Sequence, residues 1–92
     1  MIKKLLPYFK FNDEKQQYEL IKNSNVIVMI LDNGSFEVNL LYEKDPNYRW
    51  NYGRYSGHNS LELALDKAID LNYRLKTGSL IPKKGRDVAW LD

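Results

Sequence analysis

Aromatic and basic side chains alternate in the segment from Tyr48 to Tyr55, which reads Tyr-Arg-Trp-Asn-Tyr-Gly-Arg-Tyr. Aromatic rings stack on bases and arginines neutralise phosphates, so this composition is typical of single-stranded nucleic-acid binding. In a strand, however, Tyr48, Trp50 and Tyr52 share one face, and Arg49 and Asn51 lie on the other. The alternation therefore favours a buried ring face and a polar outer face.

Residues for general acid and base catalysis are few. His58 is the single histidine, between Gly57 and Asn59, and the chain has no cysteine. A Ser/His/Asp relay needs an oriented base, and a zinc site needs several His or Cys ligands. The Gly53 to Gly57 segment also lacks the lysine of a phosphate-binding loop. We therefore expect no enzyme, no metal and no cofactor.

Net charge gives little support for nucleic acid as the main partner. Fourteen basic and twelve acidic residues give +2, whereas phosphate-binding domains are usually strongly basic. The charge is uneven, because basic ends flank residues 13–45, which carry seven acids and three lysines. A surface with both signs of charge favours a protein partner.

Ninety-two residues predict a single domain spanning residues 1–92. The longest apolar run, residues 26–31, is far shorter than the roughly 20 residues of a membrane helix. Pro7 and Lys10 interrupt any apolar stretch of an export signal. We expect a cytoplasmic protein without a membrane partner, either a monomer or a homodimer.

The clearest local pattern is a β-hairpin. Residues 26–31 are rich in β-branched side chains, Asp32-Asn33-Gly34 follows, and Phe36, Val38 and Leu40 then alternate with polar residues. Asn-Gly favours a tight primed turn. The third strand is predicted over residues 48–52, ending where Gly53 and Gly57 break the alternation. The sheet is thus predicted to be a three-stranded antiparallel meander.

One long helix is predicted from Ser60 to Lys76. Asn59 and Glu62 form a capping pattern at its start, and Gly78 provides a left-handed stop after its end. Apolar residues recur at helical spacing and form one main stripe. Leu63, Leu71 and Tyr73 lie off that stripe. They are either ordinary surface residues or contacts to the N-terminal segment or to a partner subunit. The fold class is therefore α+β, with the helix packed on the ring-bearing face of the meander.

The two ends of the chain are less clearly patterned. Asp13 and Gln16 can cap a helix carrying Tyr18 and Ile21, whereas Phe9 and Phe11 alternate as in a strand. We favour a short N-terminal helix before the sheet. Residues 79–92 are predicted to be a flexible or docking tail, whose basic patch is formed by Lys83, Lys84 and Arg86.

These elements leave one sheet face uncovered, and it is the predicted docking surface for a protein partner. Its candidate contacts are polar strand residues and residues of a loop predicted to enter the helix, namely Glu37, Asn39, Arg49, Asn51, Arg54, Tyr55 and His58. Tyrosine and arginine most often anchor protein interfaces. The alternative is single-stranded nucleic-acid binding through Arg49, Trp50, Arg54 and the basic patch.

The hairpin, the third strand and the helix that opens with Asn59-Ser60-Leu61-Glu62 and continues to Ile69 resemble small phage and mobile-element proteins with a β-β-β-α layout. Residues 26–76 are also similar to the sheet and helix of the HicB type of antitoxin, although its DNA-binding appendage has no counterpart here. Inhibitors of host defence, of the anti-CRISPR and anti-restriction types, share the size and mixed charge. The resemblance implies inhibition by steric occlusion.

Overall fold

A computed structural model describes residues 2–41 and 52–80. The elements follow one another closely: helix α1 (Ile2–Leu5), a 3-10 turn (Leu6–Tyr8), strands β1 (Phe9–Asn12), β2 (Gln17–Leu20), β3 (Asn23–Ile30), β4 (Phe36–Leu41) and β5 (Tyr52–His58), and helix α2 (Leu61–Thr77). The α+β class, the antiparallel sheet and the long C-terminal helix are confirmed.

The sheet has five strands and not three. Its order is β1-β2-β3-β4-β5, and each strand pairs antiparallel with its neighbour in sequence. The two additional strands come from residues 9–20, where a helix starting near Asp13 was the favoured prediction. The short helix before the sheet exists, but it covers Ile2–Leu5. Phe9 and Phe11 follow the strand alternative.

The β3–β4 hairpin is confirmed, but its turn differs from the prediction. Gly34 N donates to Leu31 O at 2.9 Å, and Gly34 is in the left-handed region at φ 84° whereas Asn33 is not. This is a three-residue loop closed by a glycine bulge and not a two-residue primed turn. Asn33 Oδ1 supports it by accepting from the Ser35 amide at 3.0 Å.

Helix α2 begins and ends within one residue of its predicted bounds. Ser60 is the N-cap, with its side chain accepting from Leu63 N at 3.4 Å, and Gly78 closes the helix at φ 77°. One prediction about its faces is wrong, because Leu71 is fully buried. Its spacing of seven from Ala64 and three from Ala68 places it on the same stripe.

The core lies between α2 and one face of the sheet. Its buried side chains come from the strands, from the helix and from one residue just after the helix: Phe9, Leu20, Val26, Val28, Val38, Leu40, Ala64, Leu65, Ala68, Leu71 and Leu80. Small alanines on α2 bring the helix close to the valines of β3 and β4. The other face of the sheet is therefore free to carry polar residues.

Candidate functional site

The sheet face opposite α2, called here the second face, carries alternate residues from all five strands. They are Lys10, Asn12, Gln17, Glu19, Ile27, Met29, Glu37, Asn39 and Arg54, aligned by the strand registers. Successive side chains of a strand point to opposite faces, so these positions alternate with the core residues. Three of the predicted partner contacts, Glu37, Asn39 and Arg54, meet on this face.

Glu37 is the centre of this meeting. Asn39 Nδ2 donates to Glu37 Oε1 at 3.1 Å, and Arg54 Nε lies 3.1 Å from Glu37 Oε2. The two carboxylate oxygens thus hold one amide and one guanidinium. The Glu37 side chain is 21% exposed and that of Arg54 is 53% exposed. The cluster therefore presents a fixed but accessible cation on the second face.

Gly57 makes room for that cation. A Cβ added at Gly57 would lie 2.9 Å from Arg54 Nη2, closer than real side chains approach. The guanidinium therefore occupies the space that any other residue at position 57 would fill. Gly57 lies opposite Glu37 in the β4–β5 ladder, so one register position supplies both the carboxylate and the space.

Asn39 was predicted to face solvent, and this is wrong: it is fully buried. Its Nδ2 contacts Glu37 and also Met29 Sδ at 3.3 Å, but its Oδ1 has no hydrogen-bond partner among the described residues. A buried acceptor without a partner costs about 1–3 kcal/mol of stability. Ile27, beside it on β3, is only 2% exposed. The middle of the second face is therefore closed to water.

A second carboxylate cluster lies on β1 and β2. Glu19 Oε2 accepts from Gln17 Nε2 at 2.8 Å and from Asn12 Nδ2 at 3.1 Å. The hydrogen bond from Gln17 is the largest cause that lowers the pKa of Glu19, and the bond from Asn12 adds to it. Partial desolvation acts in the opposite direction but does not cancel the shift. Gln17 itself is buried. The second face thus carries two carboxylate side chains, Glu19 and Glu37, each held by neighbouring hydrogen-bond donors.

The segment from Arg54 to His58 was predicted to be a loop and is instead strand β5. A bulge in the β4–β5 pairing between Val38 and Asn39 leaves Tyr55 facing the helix. The Tyr55 hydroxyl donates to Asp70 Oδ2 on α2 at 2.8 Å, and the ring packs against the core. The expectation that Tyr55 projects towards a partner is therefore wrong, because it connects the sheet to the helix.

His58 is half-buried at the end of β5 and not exposed in a loop. Its Nε2 is hydrogen bonded to Ser56 Oγ at 2.8 Å, and desolvation, assisted by Lys67, lowers its pKa. A hydroxyl beside a neutral imidazole forms two members of a nucleophilic relay. In the described part of the chain, no carboxylate is hydrogen bonded to the other ring nitrogen. The pair therefore lacks the orienting group of a relay.

Sequence reasoning missed an apolar groove on the helix side of the molecule. The groove has a volume of about 290 Å³ and is lined by Pro7, Tyr8, Leu20, Ile21, Lys22, Ile69, Asn72, Tyr73 and Lys76. Ile21 is 64% exposed and Tyr73 is 66% exposed. Both of its charged lining residues are lysines. Only Tyr73 carried a signal in the sequence, as an aromatic residue off the main helical stripe.

Several predicted residues lie outside the described residues, namely Arg49, Asn51, Trp50 and the basic patch of Lys83, Lys84 and Arg86. Within residues 2–41 and 52–80, no three acidic or histidine side chains come together to hold a metal ion. The helices in these ranges lack the length and apolar character needed to cross a membrane.

Comparison of the chain with protein-family models, with curated proteins and with solved structures finds no match. The second face and the groove are therefore interpreted from their own chemistry.

Proposed function

We propose that the protein is a small non-enzymatic binding domain whose second face occupies the functional surface of a protein partner. The observation that carries the proposal is the Glu37 cluster, in which one carboxylate fixes both Asn39 and Arg54. Arginine is enriched among the few residues that dominate protein interfaces. Arg54 is the proposed anchor.

Preorganisation supports this role for Arg54. Ordering a long side chain on docking costs about 0.5–1.5 kcal/mol of binding free energy. Glu37 and the space at Gly57 already hold the guanidinium in one place, and it remains about half-exposed. The conformational entropy of the Arg54 side chain is therefore lost when the protein folds and not when the partner docks. An acidic group of the partner would share Arg54 with Glu37.

The burial of Asn39 supports the proposal independently. An amide whose oxygen has no partner among the described residues destabilises the sheet, and a β-branched apolar residue would suit this strand position better. Proteins that break such a stability rule often do so at functional sites. In this proposal Asn39 is kept because it orients Glu37, and Glu37 orients Arg54.

Steric occlusion is the mode of action that we propose, as in the small phage inhibitors that the sequence resembles. The partner is a host defence complex, met in the cytoplasm. A sheet face blocks a surface by area and shape and needs no chemical step. Nucleic-acid binding is less well supported, because the described second face carries Glu19 and Glu37 as well as Lys10 and Arg54 and so offers no continuous basic track for phosphates.

The test is affinity capture from a nuclease-treated lysate of the native host, followed by mass spectrometry. The bait is compared with Arg54→Ala, with Arg54→Lys, and with Lys67→Ala as a control cation that is exposed on helix α2, on the other side of the sheet. We expect a protein that is retained by the parent and by Lys67→Ala and is lost with Arg54→Ala. Arg54→Lys keeps the charge without the planar fork and should retain it weakly.

Equal capture by the parent and by folded Arg54→Ala would show that the second face is not the docking surface. Capture that disappears on nuclease treatment, together with salt-sensitive quenching of tryptophan fluorescence by oligonucleotides, would favour the nucleic-acid alternative.

A further inference from the structure

Helix α2 carries a second stripe of residues on its flank, beside the stripe that faces the core, and its middle member, Ile69, is partly packed against the core. This outer stripe consists of Glu62, Asp66, Ile69, Tyr73 and Lys76, which are spaced by four, three, four and three residues. Alternating steps of three and four keep residues in line along a helix and are the spacing of a helix–helix seam. The residues facing the core, Ala64, Ala68, Leu71 and Leu75, have the same spacing. Helix α2 is therefore patterned for contact on two sides.

Exposure distinguishes the two stripes. Four members of the outer stripe are exposed and Ile69 is half-buried, and the Tyr73 ring is 66% exposed. The apolar groove adjoins the stripe, where Tyr8 and Ile21 extend its apolar surface. A contiguous exposed apolar surface with polar residues around it usually marks an interaction site.

The charges of the outer stripe are ordered along the helix. Glu62 and Asp66 lie at the N-terminal end, whereas Lys76 lies at the C-terminal end with Lys22 beside it in the groove lining. This order suits the helix dipole. The dipole does not account for the apolar residues between these charges, so helix stability alone does not explain why Tyr73 is exposed on this stripe.

An antiparallel second copy satisfies this order of charges. When Ile69 is placed opposite Ile69 of the other copy, Glu62 lies opposite Lys76, and Asp66 lies opposite Asn72, next to Tyr73. A parallel copy would instead place each charge beside its own kind. We propose that the outer stripe is a homodimer interface at which two copies of this chain pair their α2 helices antiparallel. The proposal does not depend on the partner-binding role of the second face, which lies on the other side of the sheet.

The expected dimer is weak. The helix from Glu62 to Lys76 is about 21 Å long at 1.5 Å per residue. Even with the groove, such a contact is at the small end of specific interfaces, so association in the micromolar range is expected.

The test is sedimentation equilibrium of the full chain at about 10 to 500 μM, converted to a dissociation constant. We expect a dimer that weakens several-fold between about 50 and 500 mM NaCl, because exposed charge pairs are screened. Glu62→Lys and Lys76→Glu should each weaken it by about tenfold or more, because each variant places like charges opposite one another. Lys10→Glu, a charge reversal on the second face, should leave the dissociation constant unchanged.

A mixture of the two variants gives the sharpest result. A Glu62→Lys copy and a Lys76→Glu copy are attractive at both ends of an antiparallel pair, so the mixture should form a heterodimer with about the parental affinity. The double variant Glu62→Lys/Lys76→Glu should likewise recover. Far-UV circular dichroism confirms that α2 is intact, and if a charge reversal unfolds it, Tyr73→Asp provides an exposed alternative that should weaken the dimer by about tenfold.

A parent protein that is monomeric at about 500 μM would overturn the proposal. So would a dimer that is insensitive to both single variants, or a mixture that remains as monomeric as its components. Since these readouts need no partner protein, their failure is distinct from failure of the proposed docking function.

Discussion

Gly57 and Arg54 occupy one space on the second face, because the Arg54 guanidinium lies where a side chain at position 57 would be, with Nη2 2.9 Å from the missing Cβ. Strand β5 therefore contains a glycine for a reason unrelated to turning the chain. The relationship makes a glycine in a strand part of the proposed docking surface.

Replacing Gly57 by alanine should displace Arg54 from Glu37 without unfolding the sheet. The added methyl group meets the far end of a flexible side chain, so the free energy of unfolding should change by less than about 1 kcal/mol. Partner capture should fall as it does with Arg54→Ala. Double-mutant analysis is the check: in an Arg54→Ala background, Gly57→Ala should have no further effect on capture. If the two variants reduced partner capture additively, Gly57 would act independently of Arg54, which would contradict this prediction.

Asn39 should limit the stability of the protein. Asn39→Val removes the unsatisfied oxygen and suits a strand, so urea denaturation should show about 1 kcal/mol more stability. Partner capture should decrease, because Glu37 loses one of its two hydrogen-bonding neighbours.

Asn39→Asp is the matched opposite of that change. It keeps the shape but places a buried charge about 3 Å from the Glu37 carboxylate, and it should destabilise the protein by about 3 kcal/mol near neutral pH. An Asn39→Val variant that is less stable than the parent would mean that the amide stabilises this site.

His58 should titrate below the ordinary histidine pKa of 6.5, because burial disfavours its charged form and Lys67 repels it. As the chain has one histidine, an NMR titration of its ring proton reads this pKa directly. Lys67→Gln should raise the pKa, but by less than the full shift, because desolvation is the larger cause.

The sign of the resulting pH dependence follows from this shift. The folded protein binds the His58 proton more weakly than the unfolded chain, so stability from this group is present above pH 6.5 and is lost as the pH falls through the lower folded pKa. His58→Gln should remove this contribution to the pH profile of urea denaturation. An unchanged profile would contradict it.

Tyr55→Phe should reduce stability but leave partner capture intact. The change removes the hydroxyl that donates to Asp70 and keeps the ring in the core, so a loss of about 1 kcal/mol is expected by urea denaturation. Lost capture with unchanged stability would return Tyr55 to the docking surface, as the sequence alone suggested.

The central hairpin and helix α2 were predictable because each has a strong period of its own. Residues 26–31 and 36–40 follow strand patterns around an Asn-Gly pair, and α2 has apolar residues at helical spacing with a capping residue at its start. Their core faces need no information from distant parts of the chain.

Strands β1, β2 and the end of β5 could not be predicted in the same way. Gln16, and not glycine, holds the left-handed position between β1 and β2, at φ 52°, so the usual hairpin signal is missing. Strand β5 contains Gly57, and a glycine ordinarily indicates the end of a strand. The reason for a glycine inside this strand becomes visible only when the position of the Arg54 side chain is known. Burial of Asn39 was also hidden, because a polar residue at an alternate strand position ordinarily indicates solvent.

The order β1-β2-β3-β4-β5 has a kinetic consequence. Because every strand pairs with the one next to it along the chain, no distant segments must meet before the ladder can extend, and the sheet can close one hairpin at a time. Such local connectivity is associated with rapid folding among β-containing domains. We expect the hairpin of β3 and β4, in the middle of the sheet, to form first and pairing to extend outward to both edges.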